Sequence, residues 1–357
     1  MKEWENNIRR VEPYVPGEQP KNTDRVIKLN TNENPYPPAP EVEEAAEKMN
    51  CNLFRLYPDP SASKLTEAIA LKYGVKPSQV FPGVGSDDVL SMIFLTFFNS
   101  DKPILFPDIT YSFYSVWADV YKIPYERPAL DGNFMIKAED YYKPNGGVVI
   151  ANPNAPTSVY RDLDFIRDIL DHNTGSVVVV DEAYIDFAGP SALSLLPEYD
   201  NLIVVRTFSK SRSMAGMRIG FAIASEEMIK ALNDVKFSIN SYTLNRPAIE
   251  LGTIAIKADA YYDSVTKKII ATRQRSIAEL EKIGFKCLNS GANFIFASHK
   301  SVNANVIFKE LKEAGIYVRH FDAPRIDNYL RITVGTDEQM DALISFLGKY
   351  AQDRKND

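Results

Sequence analysis

In the stretch TFSKSRSMAGMRIG, residues 207–220, Lys210 stands between two serines, just past the apolar run NLIVV and eight positions before Arg218. A solvated surface lysine needs no such setting. A desolvated lysine among other cations has a depressed pKa and can act as a nucleophile toward an aldehyde. Asp181 closes another apolar run, SVVVVD. A carboxylate at that place can keep a heteroaromatic nitrogen protonated and make its ring an electron sink. Upstream, FPGVGSDDVL sets Gly85, Ser86 and Asp87 at the start of an apolar helix, whose free N–H groups suit a phosphate. Ordinary helix caps share that composition, and the GxxxxGKS/T pattern of a nucleotide P-loop is absent. Ser209 and Arg218 add donors for a phosphate, and Tyr111 can stack on a ring face.

Composition narrows the alternatives. A chain of 357 residues has room for two domains, each with its own core. Apolar residues at 45% and charged residues at 25% are ordinary for a globular protein. A formal net charge of −6 argues against nucleic acid or an anionic membrane as the main partner. No run approaches the length of a membrane span. The start, MKEWENNIRR, lacks the apolar centre of a secretory signal. Cys51 and Cys287 lie far apart without metal-site spacing and read as thiols in a reducing compartment, so a cytoplasmic location is expected. His172, His299 and His320 are isolated from one another. No metal site and no serine–histidine triad is expected, and another base must move protons.

The elements that would position these side chains follow from pattern. KPILF, VVIAN, SVVVVD and NLIVVRT are short, β-branched runs, apolar throughout, separated by helical periodicity as in LDFIRDILDHN. They predict an α/β fold with a mostly parallel sheet covered by helices on both faces. RIGFAIAS reads as a further strand, running antiparallel. In SASKLTEAIALKYG a helix is expected, with Ser61 or Ser63 as N-cap and Gly74 as its stop. Residues 1–35 read as an arm without helix or sheet, 36–250 as the large domain and 251–357 as a smaller α/β domain. That smaller domain holds a helix near 258–283 and the strands NFIFASH, IYVRHF and YLRITVG. In open parallel sheets, ligands sit beyond the carboxyl ends of the strands. Asn152, Asn154, Asp181, Thr207, Ser209 and Lys210 all fall there.

Pyridoxal phosphate, with its aldehyde, basic ring nitrogen and phosphate, fits this set of groups. The motifs TFSKSRSMAGMRIG, NPNAPTS, VDEAYIDF, GSDD and LRITVG, in order over about residues 10–345, resemble the fold type I pyridoxal-phosphate-dependent aminotransferases. LNTNENPYPP, LYPDP and YLRITVGT favour the branch that acts on histidinol phosphate with 2-oxoglutarate. The resemblance implies that Lys210 forms an imine with the cofactor and then shuttles the substrate proton. Asp181 pairs with the ring nitrogen, and Tyr184 donates to the ring oxygen. Gly85, Ser86, Asp87, Ser209 and Arg218 make the phosphate cup, with Asp87 in a capping or backbone role, since a carboxylate repels phosphate. Tyr111 stacks on the ring. Tyr57 reaches the cofactor phosphate of a second subunit, which implies a homodimer. Arg331 clamps a carboxylate through paired N–H bonds. Tyr14, Arg319 and Asn32 serve the substrate phosphate, with His320 as a possible assistant.

The chain departs from the family pattern at Ala155, which replaces the asparagine that commonly contacts the ring oxygen. That leaves Asn154 for the task. Arg212 adds a positive charge, set either near the phosphate or toward solvent. An aromatic amino-acid aminotransferase on the same scaffold, and a non-catalytic cofactor-binding module, remain open as alternatives.

Overall fold

The computed structural model describes residues 2–20 and 26–353. Its strands are β1 (Ile27–Lys28), β2 (Val80–Gly83), β3 (Ile104–Leu105), β4 (Tyr125–Glu126), β5 (Gly147–Ala151), β6 (Val178–Asp181) and β7 (Leu202–Thr207). Beyond these come β8 (Gly220–Ile223), β9 (Phe285–Cys287), β10 (Phe294–His299), β11 (Ile316–Tyr317), β12 (Arg319–His320) and β13 (Leu330–Thr333). Seven of them form one sheet in the order β2-β8-β7-β6-β5-β3-β4. β7, β6, β5, β3 and β4 run parallel, while β8 is antiparallel to both its neighbours.

The unbroken apolar runs are explained by burial on both faces. Alternate residues face opposite ways along a strand: Val149, Val179, Ile203 and Val205 join one core cluster, while Val148, Ile150, Val178, Val180 and Val204 join another. Each such side chain, fully buried, stabilises the fold by about 1.5–3 kcal/mol relative to exposure. Register then aligns the strand ends. Ala151, Asp181 and Val205 lie side by side, so the residues that follow all emerge at one edge. β8 brings Gly220 opposite both Gly83 and Thr207. The turn after β2 and both ends of the loop that joins β7 to β8 therefore meet at one point.

The later part of the chain makes an antiparallel sheet in the order β12-β13-β10-β9. It shares a core with the helices Asp259–Lys282, Ala304–Glu313 and Asp337–Asp353, to which Leu29 and Phe187 also contribute. Three expectations are corrected. The arm is not free of sheet, since β1 pairs in parallel with β11. IYVRHF is not one strand, because β11 serves β1 while β12 serves β13. Neither Ser61 nor Ser63 caps the helix Ser63–Tyr73. Asp59 does, its carboxylate accepting from the backbone N–H groups of both serines, while Ala62 takes the N-cap position with φ 48°. Gly74 ends that helix in the left-handed region, as expected. Of the expected arm and last domain, residues 1, 21–25 and 354–357 lie outside the described residues.

Candidate active site

A cleft of about 680 Å³ opens at the carboxyl edge of the large sheet. Lys210, Asp181, Tyr184, Ser86, Asp87, Tyr111, Ser209 and Arg218 line it, together with Tyr14, Asn32, Arg319 and Arg331 from the arm and the small domain. Lys210 Nζ lies 5.6 Å from the centre of the Tyr184 ring and 3.5 Å from the carbonyl of Thr31. Its loop is held from two sides. Asn34 donates to the carbonyls of Lys210 and Ser211, at 3.0 and 3.3 Å. The Ser211 hydroxyl donates to Asp186, which also pairs with Arg206 at the end of β7.

Close backbone approach builds the phosphate cup. A Cβ at Gly220 would lie 2.3 Å from Gly85 C and Ser86 N, and one at Gly85, whose φ is +81°, would lie 2.6 Å from the Arg218 guanidinium. Both positions therefore require glycine. What results is a concave wall of small residues, with the start of the helix Gly85–Phe97 on one side and Arg218 on the other. Asp88, not Asp87, does the capping, by accepting from Val84 N at 2.8 Å. Asp87 instead accepts from the Tyr111 hydroxyl at 2.8 Å and from Arg218 at 3.2 Å.

Asp181 is 6% exposed and accepts from the Tyr114 hydroxyl at 2.7 Å and from Ala183 N at 3.2 Å. Burial pushes its carboxyl up to about 6, against the lowering effect of Tyr114 and Ala183 N–H. A cation seated beside this carboxylate would favour its ionised form. Burial, with Asp87 adding to it, holds the Tyr111 phenol far above its ordinary range, so that ring stays neutral.

The opposite end of the cleft is cationic. Arg331 on β13 donates to Asn30 O at 2.9 Å, and its buried Nε has no partner among the described residues. Burial lowers its pKa, and no carboxylate offsets this. Arg319 on β12 reaches the arm carbonyls of Val15 and Pro16, at 3.4 and 3.5 Å. Tyr14 stacks on Phe113 with centroids 4.2 Å apart.

Some expected residues are placed elsewhere. Asn154 does not face the cleft: its amide donates to Ile109 O and Thr157, and its carbonyl accepts from Thr110, all within 3.0 Å. Ala155 lines the cleft in its stead. Arg212 neither faces solvent nor adds to the cup, since it is buried against Ala255 O, Asp259 and the Tyr262 ring. His320 bonds to Asp327 O, away from the cleft. Tyr57 lies outside this cleft, 79% exposed and stacked on Tyr242. Asn32 lines the cleft but spends its amide on the Tyr184 hydroxyl. Sequence reasoning missed Asn34 and Asp186, although both lie inside motifs it had singled out, LNTNENPYPP and VDEAYIDF, and it missed Tyr114, three positions after Tyr111.

The residues present fit pyridoxal phosphate: a glycine turn at Gly85 packed against Gly220 beside Ser86, Ser209 and Arg218, a buried carboxylate for the ring nitrogen, an aromatic wall at Tyr111 and an amine at Lys210. Fold and site together define an enzyme of the vitamin B6 type. The chain matches the family described as aminotransferase class I and II over residues 24–347, and it belongs to that family, which depends on pyridoxal phosphate. It is 49% identical over 346 residues to a histidinol-phosphate aminotransferase of Clostridium beijerinckii, covering 97% of this chain and 96% of that one. It is 51% identical over 337 residues to one of Clostridium acetobutylicum, covering 94% and 96%. The fold matches the crystal structure of a histidinol-phosphate aminotransferase from Sinorhizobium meliloti in complex with pyridoxal-5′-phosphate, with TM-score 0.83, 23% identity and 91% of each chain covered.

Proposed function

We propose that this aminotransferase exchanges an amino group between L-histidinol phosphate and 2-oxoglutarate, giving imidazole-acetol phosphate and glutamate in histidine biosynthesis. One observation carries the reading. A cleft with an amine, a buried carboxylate and a phosphate cup also holds, on β12 and β13, two arginines without acidic partners among the described residues. Relatives at about half identity that bear this activity in their names support it.

When bound, pyridoxal phosphate supplies an aldehyde that links to an amine and a ring that takes up electrons from the substrate carbon. The chain's residues do the rest. Lys210 Nζ would take the proton from the substrate's α-carbon and deliver it to the aldehyde-derived carbon of the cofactor, so one amine would serve both steps. Asp181 holds the proton on the ring nitrogen, and Tyr184 donates to the ring oxygen. Ser86, Ser209, Arg218 and the Gly85 turn bind the cofactor phosphate, and Tyr111 covers the ring. Arg331 binds the carboxylate of glutamate, while Arg319 and Tyr14 bind the phosphate of histidinol phosphate.

The proposal includes a homodimer in which Tyr57 reaches the second subunit's phosphate cup. The exposed apolar group around Tyr57, with Phe54, Leu56, Phe237, Ile239 and Tyr242, supports this. It also includes the cytoplasm, in keeping with two free cysteines. Among the described residues no helix is long and apolar enough to cross a membrane. The test is a half-reaction: histidinol phosphate, phenylalanine or tyrosine is mixed with the yellow protein and conversion to the amine form of the cofactor is followed. Conversion by histidinol phosphate at low concentration is expected, and Lys210→Ala should lose both the visible band and turnover. Conversion by phenylalanine or tyrosine alone would overturn the substrate.

A further inference from the structure

The Tyr184 hydroxyl has one hydrogen to give and two lone pairs to accept with. Its hydrogen-bond partner among the described residues is the side-chain amide of Asn32, which donates to it at 2.9 Å. The orientation of that amide is fixed by its surroundings. Asn32 N donates to the Thr333 hydroxyl at 2.9 Å, and that hydroxyl passes its own hydrogen to Asn32 Oδ1 at 3.1 Å. The carbonyl end of the side chain is thereby assigned, and the NH₂ end must face Tyr184. Asn293 donates to Asn32 O at 3.0 Å, and the residue sits in the left-handed region at φ 55°, 1% exposed. Asparagine tolerates that conformation better than most residues.

An NH₂ group can only donate, so the phenol oxygen must accept and its hydrogen is left for the cleft. That direction matters because Ala155, packed against Tyr184, offers no polar atom from its side chain, and Asn154 is turned away. The charged and titratable groups facing Tyr184 are Lys210 from the loop after β7, Arg331 from β13, and Tyr111 and Tyr114 from the far wall. Among the described residues, none of these groups hydrogen-bonds to its hydroxyl.

We propose that Asn32 is a positioning residue for Tyr184, its amide forcing the phenol hydrogen into the cleft toward the ring oxygen of the cofactor. This rests on the cofactor assignment above. It assigns Asn32 a task other than contact with the substrate phosphate.

The test uses holoenzyme and the visible absorbance of the lysine-bound cofactor as a function of pH. Asn32→Gly removes the amide while tolerating the positive φ. It should move the titration midpoint up by about half to one pH unit, the scale of one ordinary hydrogen bond. Tyr184→Phe should move it further, and the double variant should match Tyr184→Phe alone. Asn32→Asp, whose carboxylate would draw the phenol hydrogen away from the cleft, should shift the midpoint the same way and at least as far. An unchanged midpoint in Asn32→Gly, or a double variant equal to the sum of the singles, overturns the proposal. Absence of the visible band from the unaltered protein would sink the cofactor assignment instead.

Discussion

Arg206 is buried and Arg331 is half-buried at the wall of the cleft, and the fold treats them differently. Arg206, at the end of β7, pairs with Asp186 and lies over the Tyr73 ring. Burial opposes its charge, yet Asp186, Tyr73 and Glu182 more than offset this, and its pKa rises. Glu182 beside it accepts from Ser191 at 2.5 Å and from Ala192 N at 2.6 Å, although burial still pushes its carboxyl up to about 7. Arg331 has a backbone carbonyl, two aromatic rings and an idle Nε. Burial lowers its pKa with no acid to restore it. A buried charge that is matched by the fold is architecture, and removing its partner is costly. A half-buried charge left unmatched destabilises the empty protein and is accounted for by a ligand that supplies the missing anion.

The comparison breaks most visibly at Arg206. Arg206→Ala strands the buried Glu182 and leaves the more exposed Asp186 to Ser211, and it should destabilise the protein by about 3 kcal/mol, measured by urea unfolding. A loss under 1 kcal/mol would mean the network is not structural. Arg331→Gln should do the reverse. Its kcat/KM for glutamate should fall about 10²–10³-fold, the cost of leaving a bound carboxylate without its partner, with the thermal midpoint unchanged or raised. Equal losses of stability at both sites would erase the distinction.

A third expected outcome concerns pH. The carboxyl of Asp181 sits at about 6 in the folded apoprotein against an ordinary 3.8, so the folded state holds its proton more tightly than the unfolded state. Its contribution to apoprotein stability is therefore full below pH 3.8 and lost as pH rises through about 6. Cofactor binding should slope the other way, because pairing with the ring nitrogen needs the ionised carboxylate. Affinity of the apoprotein for pyridoxal phosphate should fall about tenfold per pH unit below about 6, read by equilibrium dialysis. Asp181→Asn should abolish that dependence. The smallest effect is expected at Arg319, which is solvent-accessible and bonded only weakly to the arm. Arg319→Ala should raise KM for histidinol phosphate about tenfold and leave glutamate unaffected. Equal changes for both substrates would remove its phosphate role.

The large sheet was legible because two-sided burial leaves unbroken apolar runs, and the antiparallel β8 was legible from its own run. The chemical centre was legible because strand ends announce themselves as polar residues after such runs. What stayed hidden depended on side-chain direction. Nothing in NPNAPTS says that the Asn154 amide turns inward to Ile109 O and Thr157. Nothing in SKSRSMAG says that Arg212 dives toward Asp259 while Arg218 turns to Asp87. Local chemistry misled at Asp59, which reaches four residues forward to displace two serines that cap helices in other settings. Tyr114 is three positions from Tyr111, but its line to Asp181 depends on how the helix Phe113–Tyr121 lies against the sheet.

The parallel pairing of β1 with β11, and the hold of Thr333 on Asn32, tie the beginning of the chain to its last third. During synthesis the large sheet and its lysine can assemble while β11 and β13 are still to be made. Residue 32 then waits some three hundred residues for its partner, the kind of non-local closure that slows folding. A chain ending before Arg331 lacks both the cleft-lining arginine and the hydroxyl that holds Asn32, so one wall of the cleft is unbuilt until the last strand is made.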